Sequence, residues 1–191
     1  MKAEIPAAQT DMSPDQTENT NAKIVCEKLP VSDDTIETTV VKKLIEKNIT
    51  VSTCESCTGG LVAAAITDIP GSSEIFGCGF VTYSNEAKIK LAGVSEKTLK
   101  TVGAVSEQTA REMARGAREK SGSDIAVSAT GIAGPGGGSA EKPVGLVYIA
   151  ISTKDGETVK KLNLTGDRDT VRKMTRKNIF WLIFENIKDK N

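Results

Sequence analysis

The chain has 191 residues, of which 38% are hydrophobic and 26% charged, and this predicts one globular domain with its own core. Basic and acidic side chains balance at 25 each, so the positive long-range field that attracts nucleic acid is missing, and no nucleic-acid partner is expected. There is no histidine, which excludes Ser-His-Asp and Cys-His nucleophiles and histidine-bound zinc. An enzyme built from this chain must move its proton with lysine, tyrosine, a carboxylate or cysteine.

The first 31 residues differ in composition from the rest. They hold three of the six prolines and no aromatic side chain, which predicts a disordered leader over 1–31 before a domain over 32–191. The leader lacks the apolar stretch of a signal peptide, and no window is apolar for long enough to span a membrane. Four cysteines are too few for a disulfide scaffold. A cytoplasmic protein without membrane contact is therefore expected.

Helical and strand patterns alternate along the domain. In chain order they predict a helix from 32 to about 45 capped by Asp33 or Asp34, a strand at 49–54, a helix at 61–66, a strand at 79–83, a helix from 85 closed by Gly93, a helix from 106 to 121, a strand at 124–129, a hairpin of 144–152 with 158–164, and a last helix capped by Asp167. This order predicts an α/β fold, a three-layer α/β/α sandwich with a mostly parallel sheet and a late antiparallel strand pair. The apolar run 179–184 should pack into the core or a subunit interface, so a homodimer is compatible with the sequence.

Three polar turns follow predicted strands, at 55–60, 83–88 and 130–139. Ligands of open parallel sheets bind beyond the carboxyl ends of the strands. If the three strands are neighbours, the three turns form one site.

The first turn places Ser56 just before a helix, and Gly59 and Gly60 allow close approach to its backbone amides. A nucleophile in this position has oxyanion donors beside it. The alternative is that Ser56 or Thr58 only caps the helix. The same turn contains Cys54 and Cys57 in the C-x-x-C spacing of redox proteins, although the acidic Glu55 between them would disfavour a thiolate. A zinc site is disfavoured because a second cysteine pair and all histidines are lacking.

The second turn carries Tyr83 and, near the start of a helix, Lys88. A helix N-terminus and partial burial both lower a lysine pKa, which would make Lys88 a base, whereas the alternative is an ordinary surface lysine. The third turn has five glycines in ten residues, which suits a backbone nest for an anion, or else a flexible connector. Arg168 and Arg172 in the last helix are further candidates to bind a phosphate.

Four blocks in this order resemble the CinA C-terminal domain family, which includes the nicotinamide mononucleotide deamidase. They are Glu55-Ser56-Cys57-Thr58-Gly59-Gly60, Val81-Thr82-Tyr83-Ser84-Asn85-Glu86-Ala87-Lys88, Gly103-Ala104-Val105-Ser106, and Thr130-Gly131-Ile132-Ala133-Gly134-Pro135 with Lys142-Pro143-Val144-Gly145. The resemblance covers about residues 34–188. It implies a three-layer α/β fold and hydrolysis of the carboxamide of nicotinamide mononucleotide. Cys54 departs from the family pattern, which has a small residue other than cysteine there.

The resemblance also implies a serine nucleophile and a lysine base, which match Ser56 and Lys88, with proton transfer direct or through Tyr83. The expected oxyanion donors are the amides of Cys57, Thr58, Gly59 and Gly60. The expected substrate-binding residues are Thr130, Gly131, Gly134 and Arg168. No metal or organic cofactor is required, and the expected partner is a small pyridine nucleotide. Two alternatives stay open: a catalytically silent nucleotide-binding module, and a thiol-disulfide redox protein.

Overall fold

A computed structural model describes residues 35–188, so the predicted leader and the caps proposed at Asp33 and Asp34 lie outside the described residues. The described elements are α1 (Ile36–Glu46), β1 (Val51–Glu55), α2 (Leu61–Thr67), a short 3-10 turn (Ser72–Glu74), β2 (Phe76–Val81), α3 (Asn85–Ala92), α4 (Glu96–Thr101), α5 (Glu107–Ser121), β3 (Ile125–Gly131), β4 (Leu146–Thr153), β5 (Gly156–Asn163) and α6 (Arg168–Ile187).

The five strands form one mixed sheet in the order β2-β1-β3-β4-β5. β1 runs parallel to both β2 and β3, so the three turns that end these strands share one edge of the sheet. β4 runs antiparallel to β3 and to β5. This confirms the predicted α/β fold with its late antiparallel pair.

Helix ends follow local side-chain chemistry. α1 is capped by Thr35, whose hydroxyl accepts a hydrogen bond from Thr38 N–H, so the prediction of a cap at Asp33 or Asp34 is wrong. Ser84 caps α3 in the same way through Ala87 N–H, and Gly93 ends it with a φ of 67°, which glycine adopts without strain. Asp167 caps α6 through Thr170 N–H, as predicted.

Two elements differ from the prediction. β2 begins at Phe76 rather than at Gly79, and every second residue of the strand is exposed. The prediction missed this start because two of the exposed positions are glycines, Gly77 and Gly79, which carry no strand pattern. The helix α4 was not predicted, because its six residues contain a single large apolar side chain, Leu99. Its first turn is held instead by the carboxylate of Glu112, which accepts from Ser95 N–H and the Thr98 hydroxyl.

Helices cover both faces of the sheet. α1, α2 and α6 pack on one face and α3, α4 and α5 on the other. The apolar run of α6 is buried within the chain, with Ile179, Phe180 and Ile183 fully covered. This confirms that the apolar run packs into the core. The run therefore gives no support for a homodimer. Among the described residues no helix is long and apolar enough to cross a membrane.

Candidate active site

The turns after β1, β2 and β3 meet around one cleft, as the sequence predicted. The cleft has a volume of about 280 Å³, and residues of all three turns line it together with the start of α6. Its lining includes Ser56, Tyr83, Lys88, Thr130 and Arg168. A larger surface cavity of about 660 Å³ lies at the amino ends of the strands, away from these residues, around Asn48 and Asp124.

Ser56 and Lys88 are in direct contact in this cleft. Lys88 Nζ lies 3.0 Å from Ser56 Oγ, although the two residues are 32 positions apart in the chain. The amine also donates to the carbonyl of Thr82 at 2.8 Å and reaches the carbonyl of Tyr83 at 3.5 Å. The pair of side chains that the sequence singled out is therefore brought together.

Lys88 is buried, with 1% of its surface exposed, so the surface-lysine alternative is wrong. Burial lowers the pKa of this amine from its ordinary value, because the cation loses its hydration, while the neighbouring thiols Cys54 and Cys57 act in the opposite direction. Within residues 35–188, the Lys88 amine hydrogen-bonds to no carboxylate. Burial without a carboxylate partner shifts the equilibrium of Lys88 toward the neutral amine.

Glu55 has a structural role that the sequence analysis did not assign. Its buried carboxylate accepts three hydrogen bonds at the start of α2, from the N–H groups of Gly60 at 2.9 Å, Val62 at 3.1 Å and Ala63 at 2.9 Å. These groups have no partner inside the helix, so the negative charge satisfies them and the helix dipole together. Because Ser56 follows directly, the same bonds fix the turn that presents the serine.

Two of the four backbone amides predicted as oxyanion donors already donate hydrogen bonds inside the protein. The N–H of Gly60 already donates to Glu55, and the N–H of Gly59 donates to the carbonyl of Ser56 at 3.1 Å. Both amides are therefore engaged inside the protein, which removes Gly59 and Gly60 from the donor set. The N–H groups of Cys57 and Thr58 remain; Cys57 lines the cleft, whereas Thr58 does not. The amide following a nucleophile is a common oxyanion donor.

Tyr83 lies on the rim of the cleft rather than between Ser56 and Lys88. Its hydroxyl accepts a hydrogen bond from Arg168 at 3.2 Å, and only its backbone carbonyl faces the lysine. The predicted relay of a proton through the Tyr83 hydroxyl is therefore not supported, and the direct contact takes its place. Arg168 also donates to the carbonyl of Gly134 at 3.0 Å, so it joins the second and third turns.

The third turn, residues 130–139, is the Gly-rich loop and forms another wall of the cleft. Within residues 35–188 the N–H groups of Gly136 and Gly137 donate to no protein acceptor, and both residues line the cleft. Thr130 uses its hydroxyl to hold the carbonyl of Ala104 at 2.7 Å. Gly131 and Gly134 contribute backbone to the wall. These groups lie where the sequence predicted substrate contacts.

Arg172, the second arginine predicted as a candidate to bind a phosphate, contacts the turn after β1 that carries Ser56. Its guanidinium donates to the carbonyl of Thr58 at 2.8 Å, and it does not line the cleft. This arginine therefore ties α6 to the turn that carries Ser56.

Cys54 and Cys57 are free buried thiols that belong to different core clusters, Cys54 with α3 and α5, and Cys57 with α1, α2 and α6. Burial raises the pKa of each thiol to about 11, so neither is a thiolate near neutral pH. This arrangement disfavours the redox alternative. Within the described range no group of three Cys, Asp or Glu side chains is placed to hold a metal ion.

The structure thus defines an α/β domain with a buried serine-lysine contact at the carboxyl ends of its parallel strands. Its sequence and fold are similar to those of known proteins. The family model of the CinA C-terminal domain matches residues 33–187. A competence-damage inducible protein of Caldicellulosiruptor bescii is 54% identical over 154 residues, which are 81% of this chain and 38% of that protein. Another from Acetivibrio thermocellus is 50% identical over 151 residues, 79% of this chain and 37% of that protein.

Solved structures agree. The competence/damage inducible protein CihA from Agrobacterium tumefaciens has a TM-score of 0.76 at 42% identity, covering 82% of this chain and 98% of that one. A CinA superfamily protein from Klebsiella pneumoniae has a TM-score of 0.77 at 33% identity, covering 80% and 96%. The chain belongs to the CinA C-terminal domain family. It spans less than two fifths of the length of the curated relatives it matches.

Proposed function

We propose that this protein is an amidase that hydrolyses the carboxamide of nicotinamide mononucleotide to nicotinate mononucleotide and ammonia. The observation that carries the proposal is the buried contact of 3.0 Å between Lys88 Nζ and Ser56 Oγ. A serine hydroxyl needs a base to become a nucleophile, and a lysine with a lowered pKa serves as one. The choice of substrate rests on the resemblance to the family that includes the nicotinamide mononucleotide deamidase.

The neighbours of Lys88 suit a neutral amine. Such an amine has two N–H donors and one lone pair, and the two carbonyls of Thr82 and Tyr83 use the donors. The lone pair is then left for the hydroxyl proton of Ser56. A protonated lysine donates to the serine oxygen and has no lone pair with which to take the hydroxyl proton.

The reaction proceeds in two steps. Ser56 Oγ bonds to the carboxamide carbon while its proton passes to Lys88, and the Cys57 and Thr58 amides stabilise the oxyanion. The C–N bond then breaks, and the nitrogen takes the proton from Lys88 and leaves as ammonia. Water attacks the ester on Ser56 and gives one proton to Lys88, which returns it to the Ser56 oxygen as the C–O bond breaks. The product leaves as the carboxylic acid and loses its remaining proton to solvent.

The remaining cleft groups fit the rest of a nucleotide. The N–H groups of Gly136 and Gly137 and the guanidinium of Arg168 are donors for the phosphate. The apolar side chains of Val105 and Ile132 offer a surface for the pyridine ring.

The direct test is ammonia release from nicotinamide mononucleotide by wild type, Ser56→Ala and Lys88→Arg. We expect kcat to fall by at least about 10³-fold in each variant, because neither a methyl group nor a guanidinium can do the missing chemistry. Lys90→Arg, an exposed position on the same helix, is the matched control and should keep wild-type kcat.

Two outcomes would contradict the proposal. Turnover by Ser56→Ala would remove the serine from the mechanism. Stabilisation of the wild type by nicotinamide mononucleotide with no ammonia released would favour the silent nucleotide-binding module instead.

A further inference from the structure

Lys142 has no role in the mechanism above, and the structure connects it to the segment 102–105. The ammonium of Lys142 donates to the carbonyl of Val102 at 2.7 Å and to that of Val105 at 2.8 Å. Lys142 is itself held in a tight turn, since its N–H donates to the Ser139 hydroxyl and its carbonyl accepts from Ser139 N–H. One side chain thus joins the end of the Gly-rich loop to the segment 102–105.

The segment 102–105 is irregular in structure but held in place by side-chain donors. The carbonyl of Gly103 accepts from the hydroxyls of Ser106 at 3.1 Å and Thr109 at 2.8 Å, and that of Ala104 accepts from the hydroxyl of Thr130 at 2.7 Å. With the two bonds from Lys142, each of its four carbonyls accepts a hydrogen bond from a side chain. The segment therefore has a fixed position, which is unusual for a surface loop.

This position matters because Ala104 and Val105 line the cleft, whereas Lys142 does not. We propose that Lys142 is a positioning residue that sets the 102–105 wall against the Gly-rich loop, and so determines affinity for the nucleotide substrate. The proposal rests on the proposed function for the identity of that substrate. Ser56 and Lys88 lie on other turns, so the chemical step does not depend on Lys142.

Lysine suits this role chemically. Its ammonium has three donors and no acceptor, and here two of them meet carbonyl oxygens at the distances of charge-assisted hydrogen bonds. Methionine at 142 keeps the apolar stem but has no donor. The carbonyl of Val102 is exposed and that of Val105 part-buried, so water can replace the lost bonds and the fold should persist.

The test compares Lys142→Met with Lys120→Met as the matched control. Lys120 also donates to a backbone carbonyl, that of Lys90 at 2.9 Å, but lies away from the cleft. For ammonia release from nicotinamide mononucleotide, we expect Lys142→Met to raise KM about tenfold while kcat stays within about twofold, the size expected for one charge-assisted hydrogen bond. Lys142→Arg keeps a cationic donor and should recover most of the affinity. The control should change neither constant.

Binding of nicotinamide mononucleotide by calorimetry, in a Ser56→Ala background, separates this proposal from the proposed function. If the wild type releases no ammonia, the proposed function fails, and a Kd raised about tenfold by Lys142→Met still supports the positioning role. An unchanged KM and Kd, or a loss confined to kcat, would overturn it. If Lys142→Met does not fold, Lys142→Leu, which likewise has no donor, is measured in the same way, and an unchanged KM and Kd there would also overturn the proposal.

Discussion

The protonation state of Lys88 is set by its surroundings more than by its position in the sequence. The amine is buried beside two backbone carbonyls and a serine, and loss of hydration lowers its pKa. A lysine of ordinary pKa would be protonated near neutral pH and could not accept a proton from Ser56. The proposed role of Lys88 as a base therefore depends on its burial.

This makes the pH dependence of the reaction a test of Lys88. At saturating nicotinamide mononucleotide, kcat should rise with pH as Lys88 loses its proton and level off once it is neutral. Because burial lowers this pKa, the midpoint must lie below the 10.5 of an ordinary lysine. A pH profile of kcat measures it. A midpoint at or above 10.5, or a kcat that falls through this range, would contradict the role of Lys88.

Closeness in the sequence did not predict which groups the side chains contact. Tyr83 lies five positions before Lys88 and was expected to relay the proton, but it turns its carbonyl to the amine and its hydroxyl to Arg168. Lys142 had no visible role, because the carbonyls it holds are 37 and 40 positions away. The turns that carry or precede Ser56 and Lys88 were predictable from the strand-to-helix pattern, whereas the pairing of these two residues was implied by the family resemblance.

At the scale of elements, α2 depends on a carboxylate that comes from the strand before it. Glu55 ends β1 and accepts from three N–H groups in the first turn of the helix. A seven-residue helix with a glycine in the left-handed region at its start and no side-chain cap from its own N-cap residue needs such a partner. The strand, the serine turn and the helix thus form one unit.

Replacement of Glu55 by glutamine should weaken this unit. The amide of Glu55→Gln places an NH₂ where an oxygen accepted a hydrogen bond, so we expect the free energy of unfolding to fall by about 2 kcal/mol. Denaturant unfolding measures the change. Glu96→Gln, at an exposed glutamate paired with Lys100 on α4, is the control and should change stability by less than about 0.5 kcal/mol. Equal effects of the two substitutions would show that the buried bonds do not support α2.

The contact between α3 and α5 gives a second prediction at this scale. Glycine within a helix is ordinarily less stable than alanine by up to about 1 kcal/mol. At Gly116, however, an added Cβ would lie 1.6 Å from the carbonyl oxygen of Ala92. Gly116→Ala should therefore destabilise the protein by about 2 kcal/mol or more, as overpacking does. Gly77→Ala, where no atom lies within 4 Å of the new Cβ, is the control in the same unfolding experiment. A stabilised Gly116→Ala variant would contradict the close approach of the two helices.

Elements were predictable where their signals are local. The caps at Ser106 and Asp167 and the end of α3 at Gly93 are read from residues within one helical turn. The start of β2 and the whole of α4 were missed, because glycines and polar side chains carry no apolar period there. Their positions depend on pairing with β1 and on Glu112 of α5, which are contacts between distant parts of the chain.

At the scale of the whole molecule, the order of strands creates the site. β1 lies between β2 and β3 and parallel to both, so turns that are separated by up to about 80 residues in the chain share one edge. α6 then returns across this edge and brings Arg168 to the turn after β2 and Arg172 to the turn after β1. The cleft therefore depends on the complete fold and not on any one motif.

The most direct test of the central claim is a search for the acyl-enzyme. Wild-type protein is mixed with nicotinamide mononucleotide, quenched in acid within the first turnover, and digested for peptide mass spectrometry. The account predicts an ester on Ser56 whose added mass is that of the substrate less ammonia, and no such adduct in Ser56→Ala. Ammonia release by the wild type with Ser56 unmodified throughout, and undiminished in Ser56→Ala, would contradict it.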